Sequence, residues 1–78
     1  MQLHVRYFAS LRDLAGRDAE RIEHAGDAVS LYERLAHRHG ISMPRSRVRL
    51  AVNGAFVACT QTLHDGDEVV FLPPVSGG

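Results

Sequence analysis

Only one stretch of this 78-residue chain has the apolar period of a substantial helix, and that narrows the folds open to it. After Gly26, Val29, Tyr32, Leu35, Ala36 and His39 recur at helical spacing, with Glu33, Arg34, His37 and Arg38 on the opposite side. Asp27 or Ser30 is placed to cap its start, Ser30 with Glu33 as a capping box, and Gly40 follows basic residues that suit the C-terminal end of the dipole. A lone amphipathic helix must bury its stripe against another layer, and the rest of the chain offers strands to make one.

Those strands are read from period-two alternation. From Gln2 to Ala9, Leu3, Val5 and Tyr7 point one way while His4, Arg6 and Phe8 point the other. Ser10 with Asp13 resembles a capping box for a short helix through Leu11, Leu14 and Ala15, ended by Gly16. Asp18 to His24, with Ile22 its only strongly apolar residue, fits a charged edge strand. Ile41 to Arg47, interrupted by Pro44, reads as a surface connection. Val48, Leu50 and Val52 then alternate with Arg49 and Ala51, and Asn53-Gly54 is a tight hairpin signal leading to a short return strand with Val57 inward and Phe56 outward. Leu63 to Asp67 reads as a turn, and Glu68 to Leu72 as a last strand with Val69 and Phe71 inside and Val70 and Leu72 outside. The order predicts an α+β chain of the β-grasp type: a mixed sheet of about five strands, one long helix on one face, one short helix, and the last strand parallel to the first.

Composition removes several function classes. Nine basic and nine acidic residues cancel, which leaves no electrostatic footprint for nucleic acid or an anionic membrane. No apolar run approaches membrane-spanning length, and the chain opens directly into a strand pattern, so it is expected to be cytoplasmic. The single cysteine, Cys59, can form no internal disulfide and lacks a neighbour to activate it. His37 and His39 diverge on the helix, the other three histidines have no paired spacing, and no metal site is expected. Asp65 and Asp67 flank a turn glycine and read as turn chemistry. With no complete catalytic constellation, the chemistry is expected to belong to a partner. All nine basic residues are arginine, so no side-chain amine is available to attack an activated acyl group.

The C-terminal stretch supplies the reactive group instead. Leu72-Pro73-Pro74 is stiffened by its prolines, and Val75-Ser76 leads to Gly77-Gly78, which lack a Cβ and fit a channel too narrow for other residues. The expected division is therefore a β-grasp domain over 1–72 and an extended, flexible tail over 73–78. Alternation leaves Phe8, Phe56 and Leu72 without core positions, and in a β-grasp sheet they fall together as an apolar patch at the tail's root, which predicts a protein interface. A free carboxylate is a poor acyl donor, so the Gly78 carboxylate must be activated, as an acyl-adenylate for example, in a site that excludes water.

Asp65-Gly66-Asp67-Glu68-Val69 and Phe71-Leu72-Pro73-Pro74-Val75-Ser76-Gly77-Gly78, with Tyr7-Phe8-Ala9, Leu11-Arg12-Asp13-Leu14-Ala15-Gly16 and Ala51-Val52-Asn53, resemble the small, sulfur-carrying subunits of molybdopterin synthases. The resemblance spans essentially the whole chain and implies a ubiquitin-like β-grasp fold. It implies that an adenylyltransferase of the ubiquitin-activating type adenylates Gly78 with ATP, and that a sulfur donor converts the adenylate to a thiocarboxylate. Pro73, Pro74, Val75, Ser76 and Gly77 would then insert into the large synthase subunit, where sulfur passes to cyclic pyranopterin monophosphate. It further implies a heterotetramer of two small and two large subunits, with Phe8, Phe56 and Leu72 packed on the partners, no bound cofactor, and no catalytic site in the carrier itself. The departures are Arg and His on the long helix and few apolar residues in the Asp18–His24 strand. A carrier for thiamine or another thiocarboxylate pathway, and a ubiquitin-like protein modifier, share the fold and the activation chemistry.

Overall fold

The computed structural model describes residues 1–74. It contains β1 (Gln2–Tyr7), α1 (Ala9–Ala15), β2 (Ala19–Glu23), α2 (Ala28–His39), a short 3-10 turn (Arg45–Arg47), β3 (Arg49–Val52), β4 (Ala55–Val57) and β5 (Glu68–Leu72). The five strands form one sheet in the order β2-β1-β5-β3-β4. The last strand β5 lies at its centre, parallel to β1 and antiparallel to β3, while β1–β2 and β3–β4 are antiparallel pairs. This is the expected β-grasp arrangement, with the poorly apolar β2 at one edge.

The core forms between the helices and one face of the sheet. Leu3, Val5 and Tyr7 of β1 and Val69 and Phe71 of β5 meet Leu31, Tyr32 and Leu35 of α2 and Leu11 of α1. Tyr32 packs edge-on against Phe71 with ring centroids 5.2 Å apart, and its hydroxyl donates to the Met43 carbonyl at 2.6 Å. The stripe of α2 is rotated from the expected one. Ala28, Leu31, Tyr32 and Leu35 are its buried residues, whereas Val29 sits at the margin. The run at i, i+3, i+4 and i+7 starts at Ala28, because the helix begins there, with Asp27 as cap accepting from the Ser30 amide at 2.9 Å. Ser30 therefore lies within the first turn and does not form a capping box with Glu33.

Other boundaries also moved. The first strand stops at Tyr7 and α1 begins at Ala9, capped by Phe8 without a side-chain bond, so the Ser10–Asp13 capping box is absent. Leu11 must follow Tyr7 into the core, which forces the chain to turn at once, through a left-handed Ala9 (φ 51°), and the Leu11 amide bonds to the Phe8 carbonyl at 3.1 Å. Ile41 and Leu63, read as parts of a surface connection and a turn, are both core residues. Both join the core cluster from segments between elements, and only the tertiary fold reveals which residues of such segments do so.

The Asn53-Gly54 turn is the expected two-residue hairpin, with φ of 51° and 86° and Val52 paired to Ala55 across it. It is also tied to the strand beside it. Asn53 Oδ1 accepts from the Glu68 amide and Asn53 Nδ2 donates to Asp67 Oδ1, both at 2.9 Å.

Candidate functional site

The sheet face turned away from the helices is built by the residues that alternation leaves out of the core. On β1 these are Arg6 and, continuing the extended backbone, Phe8. On β5 they are Val70 and Leu72, on β3 Arg49 and Ala51, and on β4 Phe56. The register fixes their adjacency: Val70 lies between Arg6 and Ala51, Ala51 faces Phe56, and Leu72 faces Arg49. Phe8 is 43% and Phe56 61% exposed, and Leu72 is half-buried. The expected apolar trio is thus brought onto one face, Phe8 and Leu72 where the central strand runs out and Phe56 level with Val70 two strands away.

Val70 departs from expectation. Alternation puts it on the outer face, and it is outer but buried at 8% exposure. Because β5 is central, Val70 is flanked on both sides by the backbones and side chains of β1 and β3, which an edge strand would not provide. The face consequently carries an apolar strip, closed at Val70 and flanked by the rings of Phe8 and Phe56, beside the polar His4, Arg6, Arg49 and Glu68.

Two arginines that alternation placed outside were not recognised as parts of the site. The Arg6 guanidinium lies 5.7 Å from the centroid of the Phe8 ring, and that of Arg49 lies 4.2 Å from the Phe56 centroid. The signal was present in the sequence at Arg6 and Phe8, two apart on one strand. For Arg49 and Phe56 it required knowing the hairpin register, which sets them diagonally across β3 and β4. Arg6 also approaches Glu68 at 3.8 Å, whereas Arg49 has no ion-pair partner among the described residues.

Leu72 opens directly into Pro73 and Pro74, both half-buried and outside the strand. Val75, Ser76, Gly77 and Gly78, on which the tail-insertion and reactive roles were placed, lie outside the described residues. Just before β5, the Asp65-Gly66-Asp67 turn is a clamp. Asp65 Oδ1 accepts from the Gln2 amide at 2.6 Å, the Gly66 amide donates to the Gln2 carbonyl at 2.7 Å, and Asp67 Oδ2 accepts from the His64 amide at 2.8 Å. The His64 amide and then the Asn53 side-chain amide hold the Asp67 carboxyl below its ordinary range. This motif therefore fixes where the last strand starts, as its turn-like reading predicted.

A second polar cluster lies between β1, β2 and the end of α2. Glu20 Oε2 accepts from the Tyr7 hydroxyl and meets His39 Nε2, both at 2.6 Å, while Arg17 and Arg38 approach Glu20 Oε1 at 3.4 and 3.8 Å. Burial pushes the Glu20 carboxyl up, but the hydrogen bonds from Tyr7 and His39 and the nearby positive charges outweigh it and hold it below its ordinary value. Burial, and then the bond to Glu20, pushes the Tyr7 phenol far up. The cluster joins an edge strand to a helix and lies on the core side of β1, not on the apolar face. Among the described residues no group of three His, Cys, Asp or Glu side chains is arranged to hold a metal ion, and no helix is long and apolar enough to cross a membrane. Cys59 is a free, half-buried thiol beyond β4.

A central last strand that leaves the sheet beside an exposed apolar face defines a ubiquitin-like β-grasp protein. Residues 5–78 match the ThiS family, and the chain belongs to it. It is 35% identical to the molybdopterin synthase sulfur carrier subunit of Escherichia coli (strain K12), over 97% of this chain and 99% of that one. Among solved structures, a putative molybdopterin converting factor, subunit 1, from Pyrococcus furiosus superposes with a TM-score of 0.80 at 35% identity, covering 96% of this chain and 99% of the other. Subunit 1 in the protein–protein complex of subunits 1 and 2 of molybdopterin-converting factor from Helicobacter pylori 26695 is also similar. It is 29% identical with a TM-score of 0.72, and each chain is covered completely.

Proposed function

We propose that this chain is a sulfur carrier of molybdenum cofactor biosynthesis, the small partner of a molybdopterin synthase large subunit. The observation that carries the reading is the position of the last strand. The central strand ends at Leu72 on the face that also carries Phe8 and Phe56, so a partner that covers the face also meets the point where the chain leaves the sheet. Full-length similarity to sulfur carrier subunits, and to a subunit 1 solved with its subunit 2, supports the same partner.

The reactive atom in this reading is the carboxyl carbon of Gly78. A carboxylate oxygen attacks the α-phosphorus of ATP in an adenylyltransferase partner, forming the acyl-adenylate and expelling pyrophosphate. A sulfide-level donor then attacks the acyl carbon, AMP leaves, and a thiocarboxylate remains. In the large subunit the thiocarboxylate sulfur bonds to a carbon of cyclic pyranopterin monophosphate and displaces the oxygen substituent which that carbon carried, and water then cleaves the acyl carbon–sulfur bond to restore the carboxylate and leave the sulfur on the pterin precursor. Each carrier delivers one sulfur, so a dithiolene takes two carriers, in keeping with two small and two large subunits in the assembly. Pro73 and Pro74 stiffen the stalk, and Val75, Ser76 and Gly77 pass through the narrow part of the partner's channel. The carrier binds no cofactor; ATP is consumed by the partner. The compartment is the cytoplasm.

Incubation of the full chain with its adenylyltransferase, ATP and sulfide is expected to raise the intact mass by the difference between sulfur and oxygen, and deletion of Gly78 is expected to abolish the gain. An unchanged mass, with the adenylyltransferase active on a control carrier, would overturn the reading. Loss of molybdoenzyme activity on gene deletion, with thiamine synthesis intact, separates this acceptor from the other thiocarboxylate pathways.

A further inference from the structure

The face carries a cation beside its apolar strip, at the end where β5 stops. Arg49 is the cross-strand neighbour of Leu72 and lies diagonally beside Phe56, so a surface that covers Leu72 and Phe56 together also covers Arg49. Its guanidinium lies 4.2 Å from the Phe56 ring centroid, and resting on the ring leaves the exposed side chain less rotamer freedom to lose on binding. The other arginine of the face, Arg6, has Glu68 at 3.8 Å within the chain. Arg49 has no carboxylate partner among the described residues. Covering an unpaired guanidinium with apolar surface would strip its water without replacement, a cost large enough to cancel the gain from the flanking rings. The partner must supply the missing anion.

We infer that the large-subunit surface opposing this face presents a carboxylate to Arg49, making Arg49 the charge that selects the partner while Phe8, Leu72 and Phe56 provide apolar contact. The inference rests on the docking role assigned to the face under Proposed function. It adds a specific chemistry: an acidic side chain beside the apolar contacts with Leu72 and Phe56, able to make a two-pronged bond to the guanidinium.

Binding of the full chain to the large subunit of the same source, measured by calorimetry at low and moderate salt, tests it. Arg49→Met keeps the stem over the ring and removes the charge. It is expected to weaken binding about 30-fold or more at low salt and to flatten the salt dependence, the scale for truncating one side of a covered ion pair. Arg49→Lys should keep the salt dependence with part of the affinity lost, since an ammonium cannot make the paired bond. Alanine substitution of one acidic residue of the large subunit should weaken parent binding and have little further effect on Arg49→Met. The side chain is exposed, so an unchanged melting temperature certifies the fold of each variant. If Arg49→Met binds as tightly as the parent while Phe56→Asp weakens binding, the carboxylate is refuted and the docking face stands. If neither variant weakens binding, the docking face itself is refuted.

Discussion

Replacing Glu20 by alanine removes the acceptor on which two core-side groups depend. The Tyr7 hydroxyl and His39 Nε2 both lie 2.6 Å from Glu20 Oε2, and the Glu20 side chain is only 8% exposed. Without it the buried phenol has no acceptor, a loss of about 1–3 kcal/mol for one unsatisfied group. Arg17 and Arg38, at 3.4 and 3.8 Å but half-exposed, add no more than about 0.5–1 kcal/mol together. The expected total is about 2–4 kcal/mol, which for a domain of this size lowers the melting temperature by roughly 10–25 °C. Glu20→Gln, which retains an oxygen for Tyr7, should lose about half as much. Glu20→Ala combined with Tyr7→Phe should cost less than the two separately, because the orphaned hydroxyl is gone. The carboxyl is held below its ordinary 4.5 in the folded protein, so its contribution is complete above that pH and fades as the pH falls through the lower folded value. Urea unfolding from pH 7 down to pH 3 reads both effects: Glu20→Ala should be less stable at pH 7 and lose less on acidification. A Glu20→Ala protein within about 0.5 kcal/mol of the parent at pH 7 would refute the view that this cluster fastens β2 to α2.

Three further outcomes follow from the same geometry. Phe56→Asp, at a site 61% exposed, should leave the melting temperature within a few degrees of the parent while weakening large-subunit binding by about 10-fold or more, as pull-down or calorimetry would report. Asp67→Ala removes the acceptor for His64 and Asn53 and should cost about 1–2 kcal/mol by urea midpoint at pH 7. Because its folded pKa lies below the ordinary 3.8, the Asp67 difference should shrink only as the pH drops through that lower value. Gly26→Ala should destabilise by about 1–3 kcal/mol in thermal unfolding. Gly26 has φ of 135°, and a Cβ there would meet Ser30 Oγ at 2.7 Å and His24 Nε2 at 3.3 Å, disturbing the contacts at the start of α2.

The elements with strong local signals were legible in the chain itself. Alternation in β1, the Asn53-Gly54 hairpin, the caps at Gly16 and Gly40 and the single long helix arise from backbone preferences and from periods that neighbouring residues express without outside help. The same alternation exposed Phe8, Phe56 and Leu72, because an apolar residue on the wrong face stands out in the pattern itself. Burial that depends on neighbours distant in sequence was not legible: Val70 is covered because β5 is central, and Ile41 and Leu63 because they join the core cluster. Contacts between distant segments were hidden as well. Glu20, Tyr7 and His39 meet across three elements, and Arg49 joins Phe56 only through the hairpin register. Sequence alone determined which side chains alternation turns away from the core, since period is local. The tertiary structure decided how those groups are charged and held, since a cation's neighbours and a carboxylate's donors come from elsewhere in the chain.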